Sequence, residues 1–199
     1  MGKSQKVTNM SHPNLYNFFS QLKVQTSSPN DLELWIVEGA LMNGTTVNSK
    51  KITLTDTLIN IYSQKPHVVH YMLAHEFIHY KNGEYLSWKN AFIKLGSLIS
   101  KHLKGVVLLQ EIRASIEGVH LANLTPKEIQ DSQITLHFEN ENSRKQLSYK
   151  SVGYPSRVQI IKYAQGNISF TPTVAYDILS DFEKTLNIKL WKKLILKLL

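Results

Sequence analysis

Residues 66–81, PHVVHYMLAHEFIHYK, constrain this chain more than any other stretch, because they set three chemistry-bearing side chains into an otherwise apolar helical pattern. Pro66 suits the first turn of a helix, where its missing N–H costs nothing. Val69, Met72, Leu73, Phe77 and Tyr80 recur at helical spacing, and Asn82-Gly83 is a stop signal. On such a helix His75 and His79 share one face, so both imidazoles can reach one ion. Glu76 is turned about 100° from His75. It is not a natural third ligand, but it can reach a water beside that ion. Zinc lowers the pKa of such a water toward ~7, and a neighbouring carboxylate can take its proton as it attacks a carbonyl.

The chain has no cysteine, which excludes thiolate metal sites, disulfides and thiol nucleophiles. Any metal must be held by its eight His, five Asp or ten Glu. Two histidines leave a catalytic zinc one protein ligand short. An HExxHxxGxxH continuation would need Gly at position 82 and His at 85, where the chain has Asn82 and Tyr85. Glu84 is expected to lie too near His79 to fold back as a ligand. Glu111, Glu117, His102 and His120 remain. Glu111 sits early in an apolar helical run with Leu108, Ile112 and Ser115 on its side, which aims it inward, and a cation is the obvious compensation for a buried carboxylate. Glu117 reads as a solvated position, and His102 and His120 read as structural histidines.

Around this helix, Leu15–Leu22 has helical spacing, Leu32–Glu38 and Lys51–Thr55 read as strands, and Asn43-Gly44 is a turn signal between strand-like runs. A short helix is expected over Thr57–Ser63. Tyr85–Lys101 and Val106–Ala122 read as two helices separated near Gly105. Thr125-Pro126-Lys127-Glu128 is a capping box. Helices over Ser156–Gln165 and Thr173–Leu186 and in the C-terminal segment complete an α+β, predominantly α chain.

The runs Lys51–Ile59, Leu73–Gly83 and Glu111–Ser115 resemble the core of the gluzincin family that contains the CAAX-prenyl proteases and the HtpX-type heat-shock proteases. Soluble minigluzincins are the nearer comparison, and the likeness covers about residues 30–120. The resemblance implies a zincin-like core with a small N-terminal sheet, an HExxH helix and further C-terminal helices. It implies a zinc (Zn2+) endopeptidase with His75, His79 and Glu111 as ligands and Glu76 as general base. It also implies that the Ile52–Thr55 strand is the edge on which an extended peptide lies, by β-augmentation. The family pattern places Asp four residues after the glutamate ligand to orient a ligand histidine; here that residue is Ser115. A hydroxyl can accept from an imidazole N–H without a carboxylate's charge, which makes a weak or latent enzyme conceivable. An electrophilic helper for the oxyanion is sought in Ser151–Arg157, with Tyr154 as the first candidate and Arg157, Tyr149 and His137 open. Tyr154 stands where a loosely similar family element carries His. A structural Tyr–Pro packing turn is the competing reading.

The net charge of +8 is concentrated in residues 184–199, which carry five lysines and no acid. In Leu186–Leu199 the Leu, Ile and Trp residues alternate with lysines. That pattern suits either an anionic membrane surface or a last helix packed on the domain, where it could also occlude the cleft. The longest apolar stretch, Ala91–Leu109, is interrupted by Lys94, Lys101, His102 and Lys104, so no membrane-spanning helix is expected. The N-terminus has no apolar run after its charges, so it does not read as a secretory signal. The expectation is a single zincin-like domain over residues 1–185 with a basic amphipathic helix over 186–199, cytoplasmic and peripheral to the membrane at most, acting on a peptide or protein substrate. A non-enzymatic zinc-binding or membrane-surface module with the same fold is the competing reading. Nucleic acid is disfavoured, because no aromatic–basic module is recognisable.

Overall fold

The computed structural model describes residues 4–85, 88–141 and 155–199. The chain is α+β and predominantly helical. Its strands are β1 (Ser4–Lys6), β2 (Glu33–Val37), β3 (Gly44–Asn48) and β4 (Lys51–Thr55), and helix α1 (Pro13–Gln25) lies between β1 and β2. The strand order is β1-β2-β4-β3. β2 and β4 are parallel, pairing Leu34 with Ile52 and Ile36 with Leu54, while β1 and β3 pair antiparallel to their neighbours. These four apolar residues are buried against the helices, as strand alternation requires.

Two expectations change here. Asn43-Gly44 opens β3, and the tight reversal falls after Asn48, whose side chain accepts from the Lys50 N–H at 2.8 Å. The Ile52–Thr55 segment is therefore an interior strand, and the edge on that side of the sheet is β3. The cause is parallel pairing: Ile52 and Leu54, both with no exposed surface, extend the apolar layer of β2 and leave β4 between two neighbours.

The remaining helices are α2 (Asp56–Ile59), α3 (Pro66–Lys81), α4 (Trp88–Gly96), α5 (Lys101–Leu121), α6 (Pro126–Glu141), α7 (Arg157–Gly166), α8 (Pro172–Leu186) and α9 (Lys192–Leu198). α2 is shorter than the Thr57–Ser63 expectation. Capping boxes open α6 through Thr125 and Glu128 and open α7 through Ser156 and Gln159. The break between α4 and α5 falls at residues 97–100, where the Ser100 hydroxyl caps α5. Gly105, expected to separate two helices, lies inside α5. A Cβ there would stand 2.9 Å from Ile195 Cδ1, so the glycine serves close packing against α9.

α3 is buried along almost all of residues 68–78, between the sheet, α5 and α6. Each Val, Leu or Phe buried in this way contributes ~1.5–3 kcal/mol. α5 runs antiparallel across α3, with Ser115 beside Tyr71 and Arg113 beside Glu84. Gly118 permits the approach, since a Cβ on it would sit 3.0 Å from the His75 nitrogen and 3.1 Å from its Cα. About two turns earlier on α5, Glu111 is thereby carried over the histidine face. Among the described residues, no helix is long and apolar enough to cross a membrane.

Candidate metal centre

His75 and His79 project from α3 and Glu111 projects from α5 onto one point. The two Nε2 atoms are 2.9 Å apart, and Glu111 places Oε2 3.4 Å from His75 Nε2 and Oε1 3.8 Å from His79 Nε2. All three side chains are nearly buried. Among the described residues this is the one group of three or more His, Asp or Glu arranged to hold a metal ion.

The atoms behind the rings determine which electron pairs face inward. His79 Nδ1 lies 2.7 Å from Glu84 Oε2. An ionised carboxylate only accepts, so Nδ1 carries the proton and the neutral ring presents its Nε2 lone pair to the centre. His75 Nδ1 lies 3.4 Å from Ser115 Oγ, which itself donates to the Glu111 carbonyl at 2.9 Å. With its one proton committed, the Ser115 oxygen accepts from His75 Nδ1–H and from the Tyr71 hydroxyl at 3.0 Å. Both imidazoles thus turn lone pairs toward each other and toward a buried carboxylate. Three inward donors require a positive charge among them. A divalent ion fits that requirement, and a proton competes for the same place. Burial alone would raise the Glu111 pKa, but where that proton sits on the histidines, the charge of His79 and hydrogen bonds from both rings hold this carboxyl well below the usual range. Burial alone would lower His79, and attraction to Glu111 raises it instead.

Glu84 was expected to lie too near His79 to fold back as a ligand. It is not in the donor trio, but it does turn back onto this histidine. Asn82 ends α3, Gly83 takes φ +67°, Gly83 N–H donates to Tyr80 O at 3.0 Å and Glu84 N–H donates to His79 O at 2.8 Å. This is a Schellman ending. It returns the residue after the glycine over the last turn, where Arg113 from α5 pairs with the other Glu84 oxygen. The signal was present in Asn82-Gly83-Glu84, because a left-handed glycine after the last turn returns the next residue toward that turn.

Glu76, one residue past His75, points to the sheet. Its Oε2 accepts from Thr46 N–H at 2.6 Å and from Thr46 Oγ1 at 2.9 Å, and the same hydroxyl lies 2.8 Å from the Glu76 carbonyl. The carboxylate is thus held against edge strand β3 beside the donor trio. Thr46 carried no signal in the sequence.

The other candidates lie elsewhere or have other partners. His102 stacks on Trp191, His120 Nε2 lies 2.8 Å from Asn167 O, and the Glu117 charge acts on Arg113. Arg157 donates to Gln133 at 3.0 Å, and His137 packs edge-on against Phe138. Tyr154 and Tyr149 lie outside the described residues. No family model, curated protein or solved structure matches the chain.

Proposed function

We propose that this chain is a zinc-dependent endopeptidase of gluzincin type, with His75, His79 and Glu111 as metal ligands and Glu76 as general base. The observation that carries the reading is the convergence of two Nε2 lone pairs and one carboxylate while both Nδ1 atoms are bound from behind. Zinc suits this set chemically: two imidazoles and a carboxylate with no thiolate or further acid form a three-ligand site that keeps an open position. Tetrahedral donors on bonds of about 2.0–2.1 Å stand roughly 3.3 Å apart, and the separations here of 2.9, 3.4 and 3.8 Å bracket that value.

A zinc ion in this place supplies Lewis acidity and makes a nearby water a nucleophile at neutral pH. The chain's own residues do the rest. Glu84 and Ser115 hold the two rings with Nε2 inward. Thr46 holds the Glu76 carboxylate against β3, and from there it would take the proton of the attacking water and pass it to the leaving amine. β3 has a paired neighbour on one side only, so a peptide added along its outer edge would be read by its main chain and delivered beside Glu76.

Elemental analysis and peptide hydrolysis of wild type, Glu76→Gln and His79→Ala test this. About one zinc per chain is expected in wild type and Glu76→Gln, cleavage in wild type alone, and no retained zinc in His79→Ala. Zinc held equally by wild type and Glu76→Gln with cleavage by neither would replace this reading with the non-enzymatic metal-holding module.

A further inference from the structure

The surface formed by α4, the turn after it and the start of α9 is built differently from the rest of the molecule. α4 and the turn after it bury Asn90, Ile93 and Ser97 on the inner side, yet their outer side is also apolar: Phe92, Leu95, Leu98 and Ile99 are 65%, 71%, 52% and 91% exposed. Trp191, 67% exposed, stacks on His102 at 4.9 Å between ring centroids, and its main-chain N–H donates to His102 Nδ1 at 3.2 Å. His102 follows Ile99 by three residues, so this contact joins the C-terminal segment to the apolar turn. Leu194, 42% exposed, continues the surface into α9.

The helix expected over 186–199 is divided by this arrangement. Asn187, at φ 51°, ends α8, and α9 begins at Lys192. Ile195 and Leu190 are buried in the core with Leu179 and Phe182, so the inner apolar face is already used. Lys192 is paired with Glu183. What remains outward is Trp191 and Leu194 with exposed Lys193 and Lys197, and the other segment adds exposed Lys94 and Lys101. No acid occurs between Glu84 and Glu111 or after Glu183. Among the described residues, two stretches far apart in sequence thus bring exposed apolar side chains and lysines together where Trp191 stacks on His102.

We infer that this face, centred on Phe92, Leu95, Ile99 and Trp191, docks on an anionic lipid surface. The apolar side chains enter the headgroup–acyl boundary, Trp191 sits at the interface, and the lysines attract the acidic headgroups. The charge pattern selects this occupant: a second copy would bring the same lysines against one another, whereas an acidic bilayer complements them across the whole face. The inference does not rest on the metal reading: none of these residues belongs to the donor trio or its supports, although the Lys94 charge is felt at His79.

Co-sedimentation of the full chain with vesicles of phosphatidylcholine alone and of phosphatidylcholine mixed with phosphatidylserine tests it, using wild type, Phe92→Ser/Ile99→Ser and Lys94→Glu/Lys101→Glu, with circular dichroism as the check on folding. Wild type should bind the acidic vesicles and release at high salt, and each folded double variant should lose about tenfold or more of that binding. Failure of wild type to sediment, equal binding to both vesicle types, or binding by both variants as strong as wild type would overturn the inference. Sedimentation equilibrium gives a further test: a wild-type dimer dissolved by Phe92→Ser/Ile99→Ser would assign the face to self-association instead.

Discussion

The two histidines at the centre face the same point but are held from behind by different chemistry. At the C-terminal end of α3, His79 rests on Glu84, a buried carboxylate paired with Arg113. One turn earlier His75 meets only the Ser115 hydroxyl, at the edge of hydrogen-bond reach, backed by Tyr71. A charge-assisted bond is roughly twice as strong as a neutral one, so His79 is the firmly oriented ring and His75 the compliant one. The carboxylate that the family pattern would place at residue 115 is absent, and another one acts on the other ring. The difference teaches that a helix ending can return an acid to the right turn and so hold one ring of a converging pair by charge while its neighbour is held by a hydroxyl.

The largest effect should come from removing a member of the trio. Glu111→Ala should abolish metal retention measured by elemental analysis after dialysis, because the paired imidazoles alone leave the centre without its anionic donor. Glu84→Gln comes next: it keeps a donor and an acceptor near His79 but removes the charge, and metal affinity in a chelator competition titration should fall about 10–100-fold. If Glu84→Gln weakened binding no more than Ser115→Ala, the contrast between the two ligands would be wrong. Thr46→Val retains the main-chain bond to Glu76 and deletes the hydroxyl. It should lower kcat about tenfold with metal content unchanged, since one hydrogen bond to a charged group is lost. Ser115→Asp should sharpen the comparison from the other side by giving His75 a carboxylate, tightening metal binding by up to about tenfold. No change in the titration would count against the placement of Ser115 behind His75.

The smallest effect lies away from the centre, on the same helix. His70 is stacked on Phe18 at 3.8 Å, and burial, then the nearby His67 charge, lower its pKa from 6.5 to about 4 against the opposing pull of Glu128. The unfolded chain therefore takes up a proton in that window that the folded chain refuses. This contribution to stability is full above 6.5 and declines as pH falls toward 4. Urea midpoints measured above and within the window should fall in wild type and fall less in His70→Phe.

Much of the fold was legible locally. Pro66 and Asn82-Gly83 bound α3 in sequence as they do in space, and the Thr125 and Ser156 boxes open helices because capping depends on residues three apart. The meeting of Glu111 with the histidines was one of four alternatives from spacing alone, and it depends on the α3–α5 approach at Gly118. The edge was placed on Ile52–Thr55 by the family resemblance, whereas the alternation of Lys51–Thr55 reports a buried face and leaves its position in the sheet to the parallel pairing with β2. The α4–α5 break was misplaced because Gly105, a helix-weakening residue in isolation, is kept helical by Ile195 and Leu179 from a distant segment.

Sequence by itself determined that two imidazoles and a carboxylate would sit on one helix turn with an apolar surround, because a 3.6-residue period places neighbours without help from the rest of the chain. Only the tertiary structure decided which acid completes the trio, which strand carries the edge beside Glu76, and how the apolar side of α4 comes to lie beside Trp191. Those choices depend on which surfaces meet across many residues, and packing, not local periodicity, selects among them.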